Sequence, residues 1–409
     1  MSRKPALAFI FVTLVLDILG IGLIVPILPA LVEDLSGKGP ADGARLYGAL
    51  ASVYALMQFL FAPLLGNLSD RFGRRRVILI SLFGSAFDYC LMAWSPTLLL
   101  FFVGRVLSGI SGANMAPATA YIADISPPEK RAANFGLIGA AFGLGFVLGP
   151  FLGGHLGEIH VRLPFWVAGG LSLLNAAYGF FVLPESLAKE NRRSLEWQKA
   201  NPLGMLQQLW RYPVVLGLAG THFLISLAHQ VFPSTWVLYT KHRFQWGPDE
   251  VGNSLGVVGV MAALVQGGLT RRLIPRLGEF RAAVFGLAIG AAAFLAYGLA
   301  GWGWQMYVII LVGSLASLAN PSIQGMVSRA VGDNEQGAIQ GAFASLVGLA
   351  GIFGPLIATG LFAWGVDESA GGYYPGAAFF FSAMLQVVAL GLAFRAARGT
   401  AFLAEKERS

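Results

Sequence analysis

Charged residues are scarce in this chain. Asp, Glu, Lys and Arg make up 12% of its 409 residues, whereas soluble proteins carry about 25%. Apolar residues reach 56%. So few charges could not keep so much apolar surface in water, which excludes an ordinary soluble protein. The surplus apolar surface needs a bilayer as its solvent, so the composition predicts a polytopic membrane protein.

Cysteine is almost absent as well, because Cys90 is the only one. A single cysteine excludes an intrachain disulfide and a cysteine-based metal site. The sequence also lacks a nucleotide-binding loop and the cluster of paired acids with histidine that a membrane enzyme would need at a membrane face. We therefore expect no enzymatic activity, no cofactor and no resident metal.

Twelve apolar runs of spanning length follow one another with short breaks. The basic N-terminus runs directly into the first of them, which indicates a retained helix rather than a cleaved signal. A polar, charged segment at 184–199 is the clearest interruption. The sequence thus predicts an all-α fold with an N-terminal six-helix half (1–184), a linker (185–211) and a C-terminal six-helix half (212–409). The predicted spans are 6–30, 46–67, 76–95, 97–122, 133–156, 163–183, 212–237, 251–270, 280–300, 303–328, 337–364 and 373–396.

The distribution of basic residues predicts the topology. Of the 27 Lys and Arg residues other than Arg105, 22 lie in alternate connections, at the span ends beside them or at the two termini. Basic residues accumulate on the cytoplasmic side of membrane proteins. We therefore expect a multi-pass protein of the cell's inner membrane with both termini in the cytoplasm. The same bias accounts for the net charge of +7 without a nucleic-acid partner.

The two halves repeat each other at an offset of 205 residues. Two separate segments agree at this one offset, which chance would rarely produce. Parallel six-helix repeats that hold a substrate between them predict a secondary transporter. The offset aligns Ala133, Gly136, Gly143, Leu144, Gly149 and Pro150 with Ala338, Gly341, Gly348, Leu349, Gly354 and Pro355, and Leu68, Arg71, Gly73 and Arg76 with Leu273, Arg276, Gly278 and Arg281.

The connection between the second and third spans, Gly66–Arg76, is short and rich in charge. Asp70 stands at a helix end beside a basic cluster, and such a knot can lock one face of a transporter and release it when helices move. The simpler alternative is a basic loop with a glycine turn. The second half has Pro275 where Asp70 stands, so its copy of the lock is expected to be degenerate. The predicted gating residues in this connection are Gly66, Asp70, Arg71, Gly73, Arg74 and Arg75.

Only three charges fall well inside the predicted spans: Asp17, Asp88 and Arg105. A charge at the bilayer centre costs about 2.5–3.5 kcal/mol or more, so these side chains should face the protein interior. Asp88 and Arg105 lie roughly 9 and 12 Å below the outer surface at 1.5 Å per residue, which predicts an ion pair that is either structural or part of proton coupling. Asp17 has no obvious partner, so we expect it to couple transport to protons or to a cationic substrate; a structural hydrogen bond is the alternative.

Further polar residues within the spans are candidates for a substrate cavity. Two histidines stand seven residues apart on one face of the seventh span, too far apart to hold one metal ion, so a polar lining or plain packing is expected there. The candidate substrate-binding residues are Gln58, Asn114, His222, His229, Gln266, Asn320 and Gln324.

The fifth span contains a dense glycine pattern around one proline. Small residues four apart let helices approach closely, and a proline inside a helix removes a hydrogen bond and favours a bend. One such pair is a weak signal, but the full string is longer. Its residues are Gly145, Gly149, Pro150, Gly153 and Gly154.

Several strings together resemble the tetracycline/proton antiporter group of the major facilitator superfamily, and the resemblance covers essentially the whole chain. It rests on Leu-Asp-Ile-Leu-Gly-Ile-Gly-Leu-Ile-Val-Pro around Asp17, the segments 54–63 and 69–75, Phe-Asp-Tyr-Cys-Leu around Asp88, the string that begins Gly-Arg-Val-Leu-Ser-Gly and contains Arg105, and Trp-Val-Leu-Tyr-Thr at the end of the seventh span. The resemblance implies drug/proton exchange. Members carry a divalent metal–tetracycline complex, so a divalent cation is expected only as part of a substrate complex.

The resemblance also suggests roles for individual residues. It implies that Asp70 faces the start of helix 11, that Arg74 pairs with Asp124 at the end of helix 4, and that Arg105 belongs to a motif associated with proton transfer. The glycine string of the fifth span resembles the antiporter motif of drug exporters. Ala262 and Gly290 stand where well-known members carry a His and an Asp for proton coupling.

The sequence therefore predicts a proton-coupled exporter of amphipathic drugs, and the resemblance suggests tetracycline-like ones. Its expected partners are a small-molecule substrate, protons and the lipid bilayer, and it is expected to work as a monomer. A facilitator or symporter for a sugar or metabolite, and a membrane receptor without transport, are the alternatives.

Overall fold

The computed structural model describes residues 7–192, 204, 209, 213–332, 335–367 and 373–406. Most of the predicted linker 185–211 lies outside the described residues, and so do Arg3 and Lys4 of the basic N-terminus.

Twelve helices among the described residues are long and apolar enough to cross a membrane, which confirms the predicted number of spans and the all-α class. Each overlaps its predicted span and differs from it only at the ends. The twelve helices are α1 (Leu7–Ile24), α2 (Pro40–Phe72), α3 (Arg74–Trp94), α4 (Leu98–Ile125), α5 (Asn134–Ile159), α6 (Leu163–Val182), α7 (Val215–Phe244), α8 (Pro248–Leu277), α9 (Glu279–Leu299), α10 (Gly303–Ala330), α11 (Ile339–Val366) and α12 (Ala377–Ala396).

Several spans are not uniform α-helices. α1 ends at Ile24, just before Pro26, because proline cannot donate a backbone hydrogen bond and disfavours the helical conformation of the residue before it. A short helix, Leu28–Ser36, follows. A 3₁₀ turn interrupts α4 at Gly112–Asn114, and another interrupts α10 at Ser314–Leu318. Such turns inside helices often mark functional positions.

The described chain divides into two compact units. The first contains α1, most of α2, α3 to α6 and the first half of α8. The second contains the start of α2 (residues 40–48), α7, the second half of α8 and α9 to α12. The bounds 1–184 and 212–409 for two halves stay a prediction.

Close helix packing organises the first unit. α1 packs on α5 and α6, and α3 packs on α6 and α4. A methyl group on Gly149 of α5 would lie 2.7 Å from the Cα of Gly22 in α1, so the two backbones touch. The glycine string of α5 therefore brings α5 against α1, as small residues do in membranes.

The second unit is built around α12, which packs on α7 and α9. Rings from these three helices meet in one cluster, in which Trp236 lies 5.4 Å from Tyr297 and 6.4 Å from Phe379 between ring centroids. Trp236 and Phe379 are buried. Because its rings are buried, this cluster is part of the core. Edge-to-face ring pairs add to the stabilisation that burial provides.

Candidate functional site

Asp17 is buried in α1 and has a neutral partner. The Asn114 side chain of α4 donates a hydrogen bond of 3.0 Å from Nδ2 to Asp17 Oδ2. Asn114 lies in the 3₁₀ turn of α4, and its Oδ1 has no hydrogen-bond partner among the described residues. The sequence offered no obvious partner for Asp17, and the structure supplies one that carries no charge; the role of Asp17 in proton coupling stays a prediction.

Asp88 of α3 does not form the predicted ion pair with Arg105. Its Oδ1 accepts a hydrogen bond of 2.6 Å from the Ser108 hydroxyl of α4, and its Oδ2 has no partner within the described part of the chain. The guanidinium of Arg105 lies over the ring of Tyr54 from α2, 4.3 Å from the ring centroid. The prediction of a direct Asp88–Arg105 pair is therefore wrong, although the depth estimate placed both charges at the same level.

The helical register of α4 explains this difference. Gly104 and Ser108 lie one turn apart and face α3, since a methyl group on Gly104 would contact Met92. Arg105 and Gly109 lie on the next stripe, rotated by about 100°. Gly109 approaches the backbone of Tyr54 in α2, so Arg105 points to α2 rather than to α3.

Gln58 completes a polar network in the first unit. Its Nε2 donates to the Tyr54 hydroxyl at 2.9 Å and to the carbonyl oxygen of Gly112 at 3.2 Å. Gly112 opens the 3₁₀ turn that carries Asn114, so Gln58 holds the turn that positions the partner of Asp17. The two sets of hydrogen bonds thus tie α1 and α2 to the same turn of α4.

The Tyr54 ring should matter more than its hydroxyl. Tyr54→Phe keeps the ring beneath Arg105 and removes one neutral hydrogen bond, which should lower stability by about 1 kcal/mol. Tyr54→Leu leaves a buried guanidinium without its ring and should cost about 2 kcal/mol or more. Thermal unfolding of the purified protein in detergent measures both changes. Equal destabilisation by the two variants would show that the cation–π contact does not stabilise the fold.

A knot of charges joins α2, α3 and α4 at the Gly66–Arg76 connection. Arg74 is buried, and its guanidinium contacts Asp70 at 2.5 Å and Asp124 at 3.2 Å. It also donates to the Ser69 hydroxyl at 2.6 Å. The Arg74–Asp124 ion pair implied by the resemblance is present, whereas contact between Asp70 and helix 11 stays a prediction.

Glu185, just beyond α6, caps the start of α3. Its Oε1 accepts hydrogen bonds from the backbone N–H groups of Arg74 at 2.8 Å and Arg75 at 3.4 Å. Gly73 has a φ of 103°, and any side chain there would collide with the Glu185 carboxylate. The first residues of the predicted linker are therefore part of the knot, and Ser186 adds a hydrogen bond of 2.9 Å to Asp124.

The second unit carries a similar pair with its charges reversed. Glu279 at the start of α9 forms an ion pair with Arg329 at the end of α10. These residues stand 205 positions after Arg74 and Asp124, so each sign is exchanged. Pro275 explains why this reversal is possible. It stands at the position equivalent to Asp70 and carries no charge, whereas an aspartate there would repel Glu279. The second copy lacks the third member of the knot but keeps an ion pair.

Exchanging the acid and the base of the ion pair should preserve stability for Glu279–Arg329 in the second unit but not for Arg74–Asp124 in the first. Glu279→Lys alone should destabilise by about 1 kcal/mol or less, since Arg329 is largely exposed, and adding Arg329→Glu should restore the loss. Arg74→Glu with Asp124→Lys should not recover, because Asp70 would then face a glutamate. Thermal unfolding compares the two double variants. Full recovery of the exchange at 74 and 124 would contradict the role given to Asp70.

The glycines of α5 form two stripes. Gly145, Gly149 and Gly153 approach the α1 segment that directly follows Asp17, while Gly154 faces the start of α8, 3.1 Å from the Cα of Gly252 for an added methyl group. The glycine string therefore has a packing role on two faces of one helix. Its role in transport stays a prediction.

The polar candidates of the second unit fall into two groups. His222 is buried and lies 2.8 Å from Asn320 of α10, Nδ1 to Oδ1. His229 bonds back to the Ile225 carbonyl within α7. Gln266 and Gln324 are exposed, and Gln266 lies in a π-helical turn of α8. Their assignment to a substrate cavity stays a prediction.

Sequence reasoning missed Tyr54, Ser108 and Glu185. Tyr54 stands four residues before Gln58, on the same face of α2, and Ser108 stands one turn after Gly104. Both positions follow from helical spacing once the neighbouring helix is known. Glu185 follows the predicted end of the sixth span at 183. A carboxylate stabilises the N-terminus of a neighbouring helix, so Glu185 was a recognisable candidate to cap one, and the helix it caps is α3.

Comparison with known proteins agrees with this architecture. Residues 10–355 match the sequence family described as the Major Facilitator Superfamily. The tetracycline resistance protein of class C from Escherichia coli is 41% identical over 363 residues, which cover 89% of this chain and 91% of that protein. The class D protein from Salmonella ordonez is 39% identical over 355 residues, covering 87% and 89%.

A solved structure has the same fold. The human organic anion transporter MFSD10 (TETRAN) superposes with a TM-score of 0.71 at 27% identity, and the match covers 96% of this chain and 100% of that one. The family match spans well over half of the chain, and the bacterial relatives align along most of their length. The chain therefore belongs to the major facilitator superfamily of membrane transporters, in the group that contains the tetracycline resistance proteins.

Proposed function

We propose that this transporter exports amphipathic drugs in exchange for protons, by alternating access across the cell's inner membrane, with both termini in the cytoplasm. The observation that carries this proposal is the pairing of buried Asp17 with Asn114 rather than with a cation. An ion pair would hold the carboxylate ionised throughout the cycle. A neutral partner lets Asp17 take up a proton without leaving an unpaired buried cation behind.

Asn114 can serve both protonation states of Asp17. Its Nδ2 donates to the ionised carboxylate, and its unpartnered Oδ1 can accept a hydrogen bond from the protonated form after the amide turns. Because Asn114 lies in the 3₁₀ turn of α4, a change at Asp17 can alter that turn. Coupling requires a group whose proton affinity differs between two conformations, and this pair supplies one.

The names of the relatives support tetracyclines as the first substrates to test. Ala262 and Gly290 argue for testing a wider panel, because they place no titratable group where well-known members are expected to have one. Within the described spans of the second unit, His222 is held by Asn320, and His229 by its own helix. Proton coupling is therefore assigned to the first unit.

The remaining motifs receive roles in the same cycle. The Asp70–Arg74–Asp124 knot is assigned to gating, because breaking and remaking a few contacts at a helix connection is how such switches work. Arg105 and Asp88 are both assigned to the proton pathway. The seven candidate substrate-binding residues named from the sequence are assigned to the drug cavity. The monomer is proposed as the working unit.

Uptake into inverted membrane vesicles tests the proposal. Vesicles containing the protein are given a panel of tetracyclines, with and without Mg²⁺, and other amphipathic drugs. We expect at least one tetracycline to accumulate when the lumen is acidic, and the accumulation to collapse when a protonophore removes the gradient. Vesicles without the protein supply the background.

Two results would contradict the proposal in different ways. Equilibration of a drug without any response to the pH gradient would indicate a facilitator and remove proton coupling. Uptake of a sugar or metabolite, with no drug transported, would remove the substrate class. In both cases the family assignment would stand.

A further inference from the structure

An open groove of about 420 Å³ lies on the surface of the second unit, between α9 and α12. Its lining is apolar except for one cation. The rings of Phe280 and Phe394 meet edge to face at 5.4 Å, and Phe285 and Phe394 remain exposed. The lining residues are Phe280, Arg281, Val284, Phe285, Ala288 and Phe394.

Arg281 stands at the end of the groove nearest the start of α9. It is exposed, and no hydrogen bond or ion pair joins it to another described residue. The nearby carboxylate of Glu279 is already paired with Arg329 of α10. The guanidinium of Arg281 is therefore free to bind an external anion.

The surrounding connection is also basic. The end of α8 carries three further exposed arginines, and no ion pair to them forms within the described chain. Basic residues near a membrane surface attract anionic lipids, with about 1 kcal/mol, or roughly fivefold, for each one. These arginines are Arg271, Arg272 and Arg276.

We propose that this groove binds an anionic phospholipid, with one acyl chain along the apolar lining and the phosphate held by Arg281. The lining alone cannot select a lipid, because hydrocarbon tails are as apolar as the side chains they would touch. The headgroup contact supplies the selectivity. This proposal concerns the lipid-facing surface and does not depend on which substrate is transported.

A second groove provides a matched control within the same chain. It measures about 440 Å³ and lies between α3 and α6 in the first unit. No charged residue lines it, and its lining includes the large apolar side chains of Phe83, Phe87, Trp166 and Leu173. It should accept an acyl chain without preference for the headgroup.

Photo-crosslinking in nanodiscs separates the two grooves. The full-length protein is reconstituted with phosphatidylglycerol or phosphatidylcholine carrying a diazirine in the acyl chain, and labelled peptides are identified by mass spectrometry. Phosphatidylglycerol should label the α9–α12 groove about fivefold more than phosphatidylcholine. The two lipids should label the α3–α6 groove equally.

Variants at Arg281 decide the assignment. Arg281→Gln should abolish the phosphatidylglycerol preference, and Arg281→Lys should retain it, while Arg272→Gln should reduce it only in part. Because Arg281 is exposed, gel filtration should show normal folding of each variant. An unchanged preference in Arg281→Gln, or equal labelling by both lipids in the unaltered protein, would overturn the proposal. So would competition by excess inorganic phosphate, which would indicate a site for soluble anions.

Discussion

Replacing Asp17 with asparagine should abolish accumulation driven by a pH gradient while leaving substrate binding largely intact. Asparagine has nearly the same volume and can still bond to Asn114, so folding should be preserved, but it cannot carry a proton. A gradient of one pH unit supports up to about tenfold accumulation for each proton exchanged. In Asp17→Asn the internal and external drug concentrations should therefore become equal.

The control for this experiment is Asp34→Asn. Asp34 is an exposed carboxylate in the short helix Leu28–Ser36, so the chemical change is identical but outside the buried network. This variant should accumulate drug as the unaltered protein does. Exchange at equal drug concentrations, measured in the same vesicles, shows whether Asp17→Asn still binds and moves substrate.

The histidines of α7 provide the competing explanation, because histidine titrates in the physiological range. His222 is buried against Asn320, and His229 is bonded within its own helix. We expect His222→Gln with His229→Gln to retain gradient-driven accumulation. Normal accumulation in Asp17→Asn together with failure of the histidine variant would transfer coupling to α7.

The sequence was sufficient for the number of spans and for the charged knot. Spans are predictable because a bilayer requires about 20 apolar residues for each crossing. The charge cluster around Asp70 was visible in the short connection itself. The contact of Arg74 with the distant Asp124 was implied by the resemblance to the antiporter group, since spacing along the chain does not bring residues 74 and 124 together.

The partners of the buried charges were not predictable in the same way. Counting residues from the connection between the third and fourth spans gave the depth of Asp88 and Arg105, but depth does not say which way a side chain points around its helix. Adjacent residues differ by about 100° in direction. That rotation sends Arg105 to Tyr54 and leaves Asp88 to Ser108. The direction depends on how α4 packs against two other helices, which the sequence alone does not show.

The reversed pair in the second unit shows a related limit. The repeat identified Pro275 as the residue that breaks the lock, and the expectation stopped there. In the second unit, the acid Glu279 stands at the position equivalent to Arg74, and the base Arg329 at the position equivalent to Asp124. A comparison that looks only for identical residues therefore misses the pair. Ion pairing depends on opposite charge at a given separation, and it survives when both signs are exchanged.

Gly149→Val in α5 should cause a large loss of function. A methyl group at Gly149 would lie 2.7 Å from the Cα of Gly22 and 3.0 Å from the carbonyl oxygen of Leu19. These are backbone atoms, so no side chain can turn aside to make room. α1 and α5 would have to separate, and overpacking of this kind commonly costs 1–3 kcal/mol.

The separation should also reach the coupling site, because Leu19 and Gly22 belong to the same helix as Asp17. Gly149→Val should therefore lose gradient-driven accumulation and lower the unfolding temperature together. Gly143→Val is the matched control: it lies on the same helix, and nothing stands within 4 Å of an added methyl group. It should keep both transport and thermal stability. If Gly149→Val transports normally, α1 and α5 do not need this contact, and the glycine string must act through its α8 face at Gly154 instead.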